Sequence, residues 1–282
     1  QNHQYNFFNP KAGVTWRLAD ENVLFASVAV ANREPSRSDF RDADPGTVVL
    51  SERLTDYELG YRHGGKRVAL NANLFYMDYK NQLVLTGKIN NVGSAIRTNV
   101  ANSYRTGVEL SAALLVTDWF KWDMNLAYSQ NKIKNFTEYV DNWDYWNDPS
   151  TEPLQYEKNL GTTDISFSPN VVGSSNMVFT MVKNLHLNLV SNYVGRQYID
   201  NTSNKERSLD PYFINNIRLS YTWFPGFVKS VDFIVNMNNI FDNHYETNAW
   251  VYRYVYGEEE YEMNGYFSQA GFNVMGGVVV KF

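Results

Sequence analysis

The chain lacks cysteine, long apolar runs and an excess of basic residues. It has no Cys among its 282 residues, which excludes disulfides, thiol nucleophiles and thiolate metal sites. No apolar run is long enough for a membrane-spanning helix, which needs about 18 or more residues. The formal net charge of -5 argues against nucleic acid as a partner, because phosphate-binding surfaces are usually basic.

Sequence motifs for catalysis are also missing. The chain has no nucleophile elbow, no phosphate-binding loop and no HExxH zinc motif. We therefore predict that it is not an enzyme, and we assign it no metal ion and no cofactor. No basic and apolar signal peptide begins at Gln1, so we interpret the chain as mature or truncated.

Aromatic residues are abundant and alternate with polar ones. They make up 16% of the sequence, while the mean hydropathy is -0.43. This combination predicts strands with one apolar and one polar face. The stretch from Ala270 to Phe282 shows the pattern: its aromatic and valine side chains share one parity, and Asn273, Gly277 and Lys281 have the other.

The same alternation predicts eleven strands in an all-β fold, at 11–18, 23–32, 54–63, 66–86, 95–116, 120–130, 171–182, 185–198, 216–223, 231–238 and 270–282. The connections alternate between two kinds along the chain. Long ones cover 33–53, 131–168, 199–210 and 241–269, and short turns separate the other strands. This rhythm is typical of an antiparallel up-and-down β-barrel with tight turns at one rim and elaborate loops at the other.

Charged residues on the inward parity favour a transmembrane barrel over a sandwich, because charges buried in a dry core must be paired at a cost. We predict five residues that line a wet lumen: Arg62, Arg105, Glu109, His186 and Arg218. Bacterial single-chain outer-membrane barrels have even strand numbers. We therefore expect residues 1–282 to be one portion of a larger barrel without an internal domain boundary, and we expect further strands to pair with its two edges.

Several segments resemble the C-terminal half of the TonB-dependent outer-membrane receptors. They are FFNPKAGVTWRL (7–18), LFASVAVANREPSRSDF (24–40), YELGYR (57–62), LFYMDYKNQL (74–83), NSYRTGVELSA (102–112), VNMNNIFDNHY (235–245) and the terminal VVVKF. Their order and spacing cover nearly the whole chain. The resemblance implies the last eleven strands of a 22-stranded barrel in the bacterial outer membrane.

The resemblance also implies a function and partners. Receptors of this family import a scarce nutrient, typically a ferric siderophore, through a barrel closed by an N-terminal plug. The plug and the segment that engages the TonB complex are not in this sequence. The expected partners are therefore that plug, the remaining barrel strands, the TonB complex, outer-membrane lipid and a small-molecule ligand. Glycan import and a smaller complete barrel with an enzymatic or adhesive role are the alternatives.

Two aromatic segments, 139–146 and 250–261, are the candidates for ligand capture, because planar rings with polar edges suit siderophores and glycans. The alternative is that these rings pack loop against loop or form the aromatic girdle of the membrane interface. The candidate ligand-binding residues are Trp143, Tyr145, Trp146, Trp250, Tyr252 and Tyr254.

Two acidic segments are weaker candidates for cation binding. The run Glu258-Glu259-Glu260 with Glu262 has the oxygen ligands that calcium prefers, but it is also typical of a solvated loop tip. The segment 242–246 places potential ligands at alternate positions, which the family resemblance explains better as the end of a strand. We therefore assign a metal site to neither.

Overall fold

The computed structural model describes residues 3–43, 47–90 and 92–282, and most of them form one antiparallel sheet. The consecutive strands of the main sheet are β1 Lys11–Ala19, β2 Asn22–Arg33, β3 Glu52–Gly64, β4 Val68–Ile89, β5 Ala95–Thr117, β6 Phe120–Asn142, β8 Val171–Val182, β9 Leu185–Val194, β12 Tyr212–Trp223, β13 Ser230–Asn238 and β16 Asn273–Lys281. The remaining elements are a helix α1 Arg37–Arg41, a 3-10 helix Trp143–Trp146, and the strands β7 Gln155–Asp164, β10 Gln197–Tyr198, β11 Ser208–Leu209, β14 Glu246–Tyr256 and β15 Glu259–Ser268. Among the described residues, no helix has the length and apolar character needed to cross a membrane.

The main sheet is a meander in which each strand pairs antiparallel with the next one along its path. The described residues supply eleven strands to this path, which confirms the predicted number and the all-β class. Register follows the predicted parity. On β16, for example, Val278 lies opposite Phe233 and Val280 opposite Val231, whereas Lys281 on the other parity forms an ion pair with Asp232 at 2.8 Å.

The sheet does not close on itself. In the described part of the chain, β1 pairs only with β2, and β16 pairs only with β13. Because the path contains an odd number of antiparallel strands, β1 and β16 run in the same direction. An antiparallel barrel therefore cannot close by pairing these two edges with each other, and unpaired strand edges are not tolerated in lipid.

Two of the long segments that we predicted as loops are in fact largely strands. Strand β6 continues to Asn142 instead of ending near residue 130, and β7 returns beside it. The segment 241–269 contains the hairpin β14–β15. The prediction was wrong there because the aromatic and acidic residues of these segments do not separate into the apolar and polar parities of a membrane strand. The predicted strand 185–198 ends in the main sheet at Val194, and β10 after it pairs with β11 of the segment 199–210 in a separate two-stranded sheet.

The packed interior lies at the end of the sheet that carries the long connections, which we call the loop end. One small cluster joins Val84, Val100, Ile133 and Ile165, and a second joins Ile199, Leu209, Ala249 and Val251. Most side chains of β1 and β16, by contrast, are exposed. The loop end is therefore the packed part of an otherwise open sheet.

The segment 239–243, within the VNMNNIFDNHY stretch, forms a turn that joins three strands. Asn239 and Asp242 have left-handed backbones with φ of 50° and 52°. The Asp242 carboxylate accepts a hydrogen bond from the backbone N–H of Phe272 at 2.7 Å, and the Asn243 side chain donates to the carbonyl of Phe213 at 2.7 Å. This motif is therefore structural, and no metal-binding cluster occurs among the described residues.

Candidate functional site

The two aromatic segments predicted from the sequence meet at the loop end. Strand β14 lies beside the end of β6 in a short parallel pairing of Tyr254 with Asp141. This contact brings the 3-10 helix that follows β6 against the hairpin β14–β15. Residues that are 109 positions apart in the sequence, Trp143 and Tyr252, are thereby joined by a hydrogen bond of 3.0 Å from the indole N–H to the phenol oxygen.

Four rings form a continuous surface, which we call the aromatic face: Trp143, Tyr252, Tyr254 and Tyr261. Trp143 stacks on Tyr254 with ring centroids 4.0 Å apart, and Tyr254 stacks in turn on Tyr261 at 5.2 Å. Tyr252 lies 5.8 Å from Tyr254. Trp143 remains 43% exposed and Tyr261 38% exposed, so the rings pack loop against loop and also present a surface.

The other three predicted ligand-binding residues lie beside this surface. Tyr145 and Trp146 contact each other edge to face, with centroids 5.3 Å apart. Trp250 has the same parity on β14 as Tyr252 and lies over its cross-strand neighbour Gly265. A side chain at residue 265 would overlap the Trp250 indole, so this glycine provides the space in which the ring lies.

The opposite face of the hairpin is held by a mostly buried ionic network. Arg207 binds Asp200 at 2.7 Å and Glu262 at 3.2 Å, and it lies 3.6 Å from Glu138. Arg253 of β14 also pairs with Glu138. The Arg207 side chain is only 6% exposed, and the network links β6, the segment 199–210 and both strands of the hairpin.

The acidic run 258–262 is divided between the two faces by strand alternation. Glu260 and Glu262 lie on the network face, where Arg253 pairs with Glu260 and lies 3.8 Å from Glu262. Glu259 lies on the aromatic face opposite Tyr256, and Tyr261 donates a hydrogen bond to it at 3.0 Å. All four glutamates of the run remain exposed, as a solvated tip requires, and Glu260 and Glu262 also contact Arg253.

Carboxylates also border the aromatic face along the end of β6. Lys88 lies 6.0 Å from the Tyr252 ring centroid and is paired with Asp141 at 3.4 Å. Asp144 accepts a hydrogen bond from the N–H of Gly257 at 2.8 Å. Burial raises the pKa of the Tyr252 hydroxyl, the hydrogen bond from Trp143 opposes this, and the charge of Asp141 raises the pKa further.

A cleft of about 410 Å³ opens next to this network. It lies between the tip of the β4–β5 hairpin and the extension of β6, which separate after Ile133 because β6 then pairs with β7. Phe136, Lys134 and Arg97 contribute to its walls, together with Arg253 of the network. The cleft combines apolar surface with donors and acceptors, which is the usual character of a small-molecule site.

Sequence comparison identifies the family. A family description of the TonB dependent receptor-like β-barrel matches residues 1–240, which is most of the chain. The chain belongs to the TonB-dependent receptor β-barrel family. No curated protein sequence matches the chain.

Solved structures of TonB-dependent receptors share the fold. The ferric yersiniabactin uptake receptor of Yersinia pestis is 20% identical with a TM-score of 0.59, and the match covers 97% of this chain and 37% of that one. The siderophore receptor PiuA of Acinetobacter baumannii is 16% identical with a TM-score of 0.64, covering 95% and 35%. The ferric-catecholate import receptor Fiu of K12 E. coli is 17% identical with a TM-score of 0.62, and the match covers 96% of this chain and 34% of that one.

This membership confirms the family that the sequence motifs predicted. It also confirms the predicted location in the bacterial outer membrane. The family consists of transport receptors and not of enzymes. The chain spans little more than a third of the length of the matched structures, so its open sheet corresponds to part of a receptor barrel.

In this TonB-dependent receptor chain, the five residues predicted to line a lumen share one face of the sheet. Register connects them: Arg62 pairs with Asn71 and Asn71 with Ser111, which has the parity of Glu109 and Arg105. Further along the strand path, Ser111 is connected through Asn125 and Ser174 to Asn192, which has the parity of His186. Arg218 pairs with Asn188 of that same parity, so it lies on the same face. Their role in a lumen remains a prediction.

Several residues of the site were missed from the sequence. Arg207, Asp200 and Glu138 lie far apart in the sequence and meet only through the fold. Lys88 lies at the end of β4, beyond the predicted boundary. A signal for the hairpin was present, because the aromatic residues between 250 and 256 occupy alternate positions before the Gly257-Glu258 turn.

Proposed function

We propose that this chain is part of an outer-membrane receptor that imports a ferric siderophore in a TonB-dependent manner, and that the loop end captures the ligand. Family membership supports the transport role, and the convergence of Trp143 with Tyr252 and Tyr254 carries the assignment of the capture surface. The elaborate loops of outer-membrane barrels lie on the extracellular side. The aromatic face would therefore be the first surface that an external ligand meets.

The remaining partners follow from the same proposal. An N-terminal plug and further barrel strands would complete the barrel, the TonB complex would supply energy, and lipid would cover the apolar parity of the sheet. The ligand would pass along the polar face that carries Arg62, Arg105, Glu109, His186 and Arg218. We assign no catalytic step to any residue of the chain.

The test is iron uptake by a bacterial strain that depends on the full-length receptor. Radiolabelled iron is offered as a panel of ferric siderophores, and cobalamin and oligosaccharides are tested in parallel. We expect uptake of at least one ferric chelate, and we expect it to stop when the proton gradient is dissipated. Uptake of a glycan alone would contradict the proposal, and so would binding without gradient-dependent uptake.

A pair of variants tests the capture surface in the same strain. Tyr254→Ala removes the ring between Trp143 and Tyr261, and stacking contributions of about 1–3 kcal/mol predict a loss of affinity of roughly 5- to 150-fold. The matched control is Phe241→Ala, which removes a 67% exposed ring outside both the stack and the cleft. Equal effects of the two substitutions would exclude the aromatic face as the capture surface.

A further inference from the structure

The charge of the aromatic face narrows the class of ligand. We infer that this face selects iron chelates that are neutral or cationic and disfavours strongly anionic ones such as ferric tricatecholates. The inference rests on the proposed function, because it concerns the ligand of the same surface. It follows from where the fold places carboxylates and their counter-ions around the four rings.

Strand alternation separates the positive from the negative charges of the hairpin. Arg253 lies on the network face, and its partners Glu138, Glu260 and Glu262 neutralise it there. Arg207 lies in the same network and is likewise paired with acids. Neither arginine is therefore available to a ligand on the aromatic face.

Within the described part of the chain, Lys88 is the one Lys or Arg that lies over a ring of the aromatic face, and it is already paired. Lys88, which lies over Tyr252, is held by both oxygens of Asp141, and Gln155 donates a further hydrogen bond to the same carboxylate at 2.8 Å. This pair cancels its own charge. The net charge of the aromatic face is therefore set by the other carboxylates.

Two carboxylates without a cationic partner border the rings, and a third, Glu152, accepts a hydrogen bond from the side chain of Asn142, the residue before Trp143. Glu259 accepts from Tyr261, Glu152 accepts from Tyr156 at 3.0 Å, and Asp144 accepts from a backbone N–H. Across residues 3–43, 47–90 and 92–282, none of the three has a Lys, Arg or His nitrogen within 4 Å. The hydrogen bonds from the two tyrosines raise the pKa of both phenols.

The rings reinforce this preference. The face of an aromatic ring carries partial negative charge and attracts cations. A stack of tyrosine and tryptophan bordered by unneutralised carboxylates therefore attracts a cationic ligand and accepts a neutral one. It repels a ligand with several negative charges, and the repulsion weakens as salt screens it.

Equilibrium binding to the full-length receptor in outer-membrane vesicles tests the inference. The probes are a cationic ferric trihydroxamate and an anionic ferric tricatecholate, each measured at low and at physiological ionic strength. We expect the cationic chelate to bind more tightly, and the difference to shrink as salt is added. Equal binding, or tighter binding of the anionic chelate, would overturn the inference.

Neutral variants locate the effect. Glu259→Gln and Asp144→Asn keep an oxygen acceptor for Tyr261 and Gly257 but remove one charge each. Each is expected to reduce the preference for the cationic chelate by about two- to fivefold, from the Coulomb energy of one screened charge. Glu206→Gln, an exposed acid in the segment 199–210, is the matched control and should leave the preference unchanged. An equal change in the control would assign the preference to net charge and would also overturn the inference.

A measurement without any iron chelate separates the two proposals. Collisional quenching of Trp143 by caesium and by iodide, obtained as the difference between the parent and Trp143→Phe, reports the sign of the local potential. Each quenching constant is divided by that of the same ion for free tryptophan, and we expect the normalised value to be higher for caesium than for iodide, with a smaller difference in Glu259→Gln. A higher normalised value for iodide would contradict the charge assignment. Failure of both chelates to bind, combined with a higher normalised value for caesium, would instead refute the proposed function and leave the charge of the face established.

Discussion

Trp143 and Tyr254 lie face to face, with ring centroids 4.0 Å apart and ring planes 17° from parallel. One ring belongs to the 3-10 helix after β6, and the other belongs to the hairpin near the end of the chain. The stack therefore joins two distant parts of the loop end: the segment that follows β6 and the connection between β13 and β16. Four predictions test how this closure is held.

The first prediction concerns the stack itself. In a double-mutant cycle, Trp143→Ala and Tyr254→Ala should show a coupling of about 0.5–1.5 kcal/mol, because stacked aromatic pairs contribute this much beyond their buried area. The observable is the opening free energy of the hairpin β14–β15, measured by amide hydrogen exchange with mass spectrometry. Strictly additive effects would show that the two rings do not stabilise each other.

The second prediction concerns the ionic network. Arg207→Met should destabilise the docking of the hairpin by about 3–5 kcal/mol, because it leaves Asp200 buried without a counter-ion and leaves Glu138 with Arg253 alone. Arg196→Met is the matched control. Its pair with Asp210 also measures 2.7 Å, but the Arg196 side chain is 39% exposed, and exposed pairs contribute only about 0–1 kcal/mol.

Limited proteolysis gives an independent measure of this prediction. The hairpin should be cleaved in Arg207→Met and remain resistant in Arg196→Met. Equal resistance of the two variants would show that the buried network does not hold the hairpin in place.

The third prediction concerns the hairpin turn. Gly257 and Glu258 connect β14 to β15 with φ of 62° and 68°, the left-handed pair that a two-residue hairpin turn requires. A glutamate in this conformation costs about 1–2 kcal/mol, so Glu258→Gly should stabilise the hairpin by about 1 kcal/mol. Glu259→Gly, one residue further on in an extended strand, should destabilise it instead. Thermal melting followed by hairpin cleavage distinguishes the two, and a loss of stability in Glu258→Gly would contradict the turn assignment.

The fourth prediction concerns pH. Burial raises the pKa of the Tyr252 hydroxyl, so the folded state resists its ionisation more than the unfolded state does. The contribution of this group is then fully present below about pH 10, the unfolded value, and is lost as the pH rises through the raised pKa. The hairpin should loosen over this alkaline range, as followed by hydrogen exchange. Tyr252→Phe should remove that part of the pH dependence, and an unchanged profile in the variant would assign the loosening to other groups.

The alternation of residues predicted the strands of the sheet because lipid-side and inner residues differ in polarity at successive positions. In β5, for instance, Val108 and Leu110 lie on one face of the sheet and Glu109 lies on the other. This face assignment follows directly from the sequence. The odd strand number and the unpaired edges followed from the same pattern. These features depend only on local periodicity, which a single sequence contains.

The loop end could not be predicted in the same way, because neither face of its strands contacts lipid. Apolar and polar residues therefore do not alternate along them. Along β14, Tyr252, Arg253 and Tyr254 alternate between an aromatic surface and an ionic network, and neither of these is an apolar core. The identity of the aromatic residues was predicted, but their partners were not. Contacts such as Arg207 with Glu138 depend on the arrangement of three separate segments.

Capture of the ligand by the aromatic face can be measured directly as quenching of Trp143 by a bound ferric chelate. Iron chelates quench a tryptophan that they contact, and the signal of Trp143 is isolated by comparing the full-length receptor with its Trp143→Phe variant. We predict a saturable loss of the Trp143 signal that is half complete at the same chelate concentration that half-saturates iron uptake. A chelate that is taken up while the Trp143 signal stays constant would contradict the claim that the aromatic face captures the ligand.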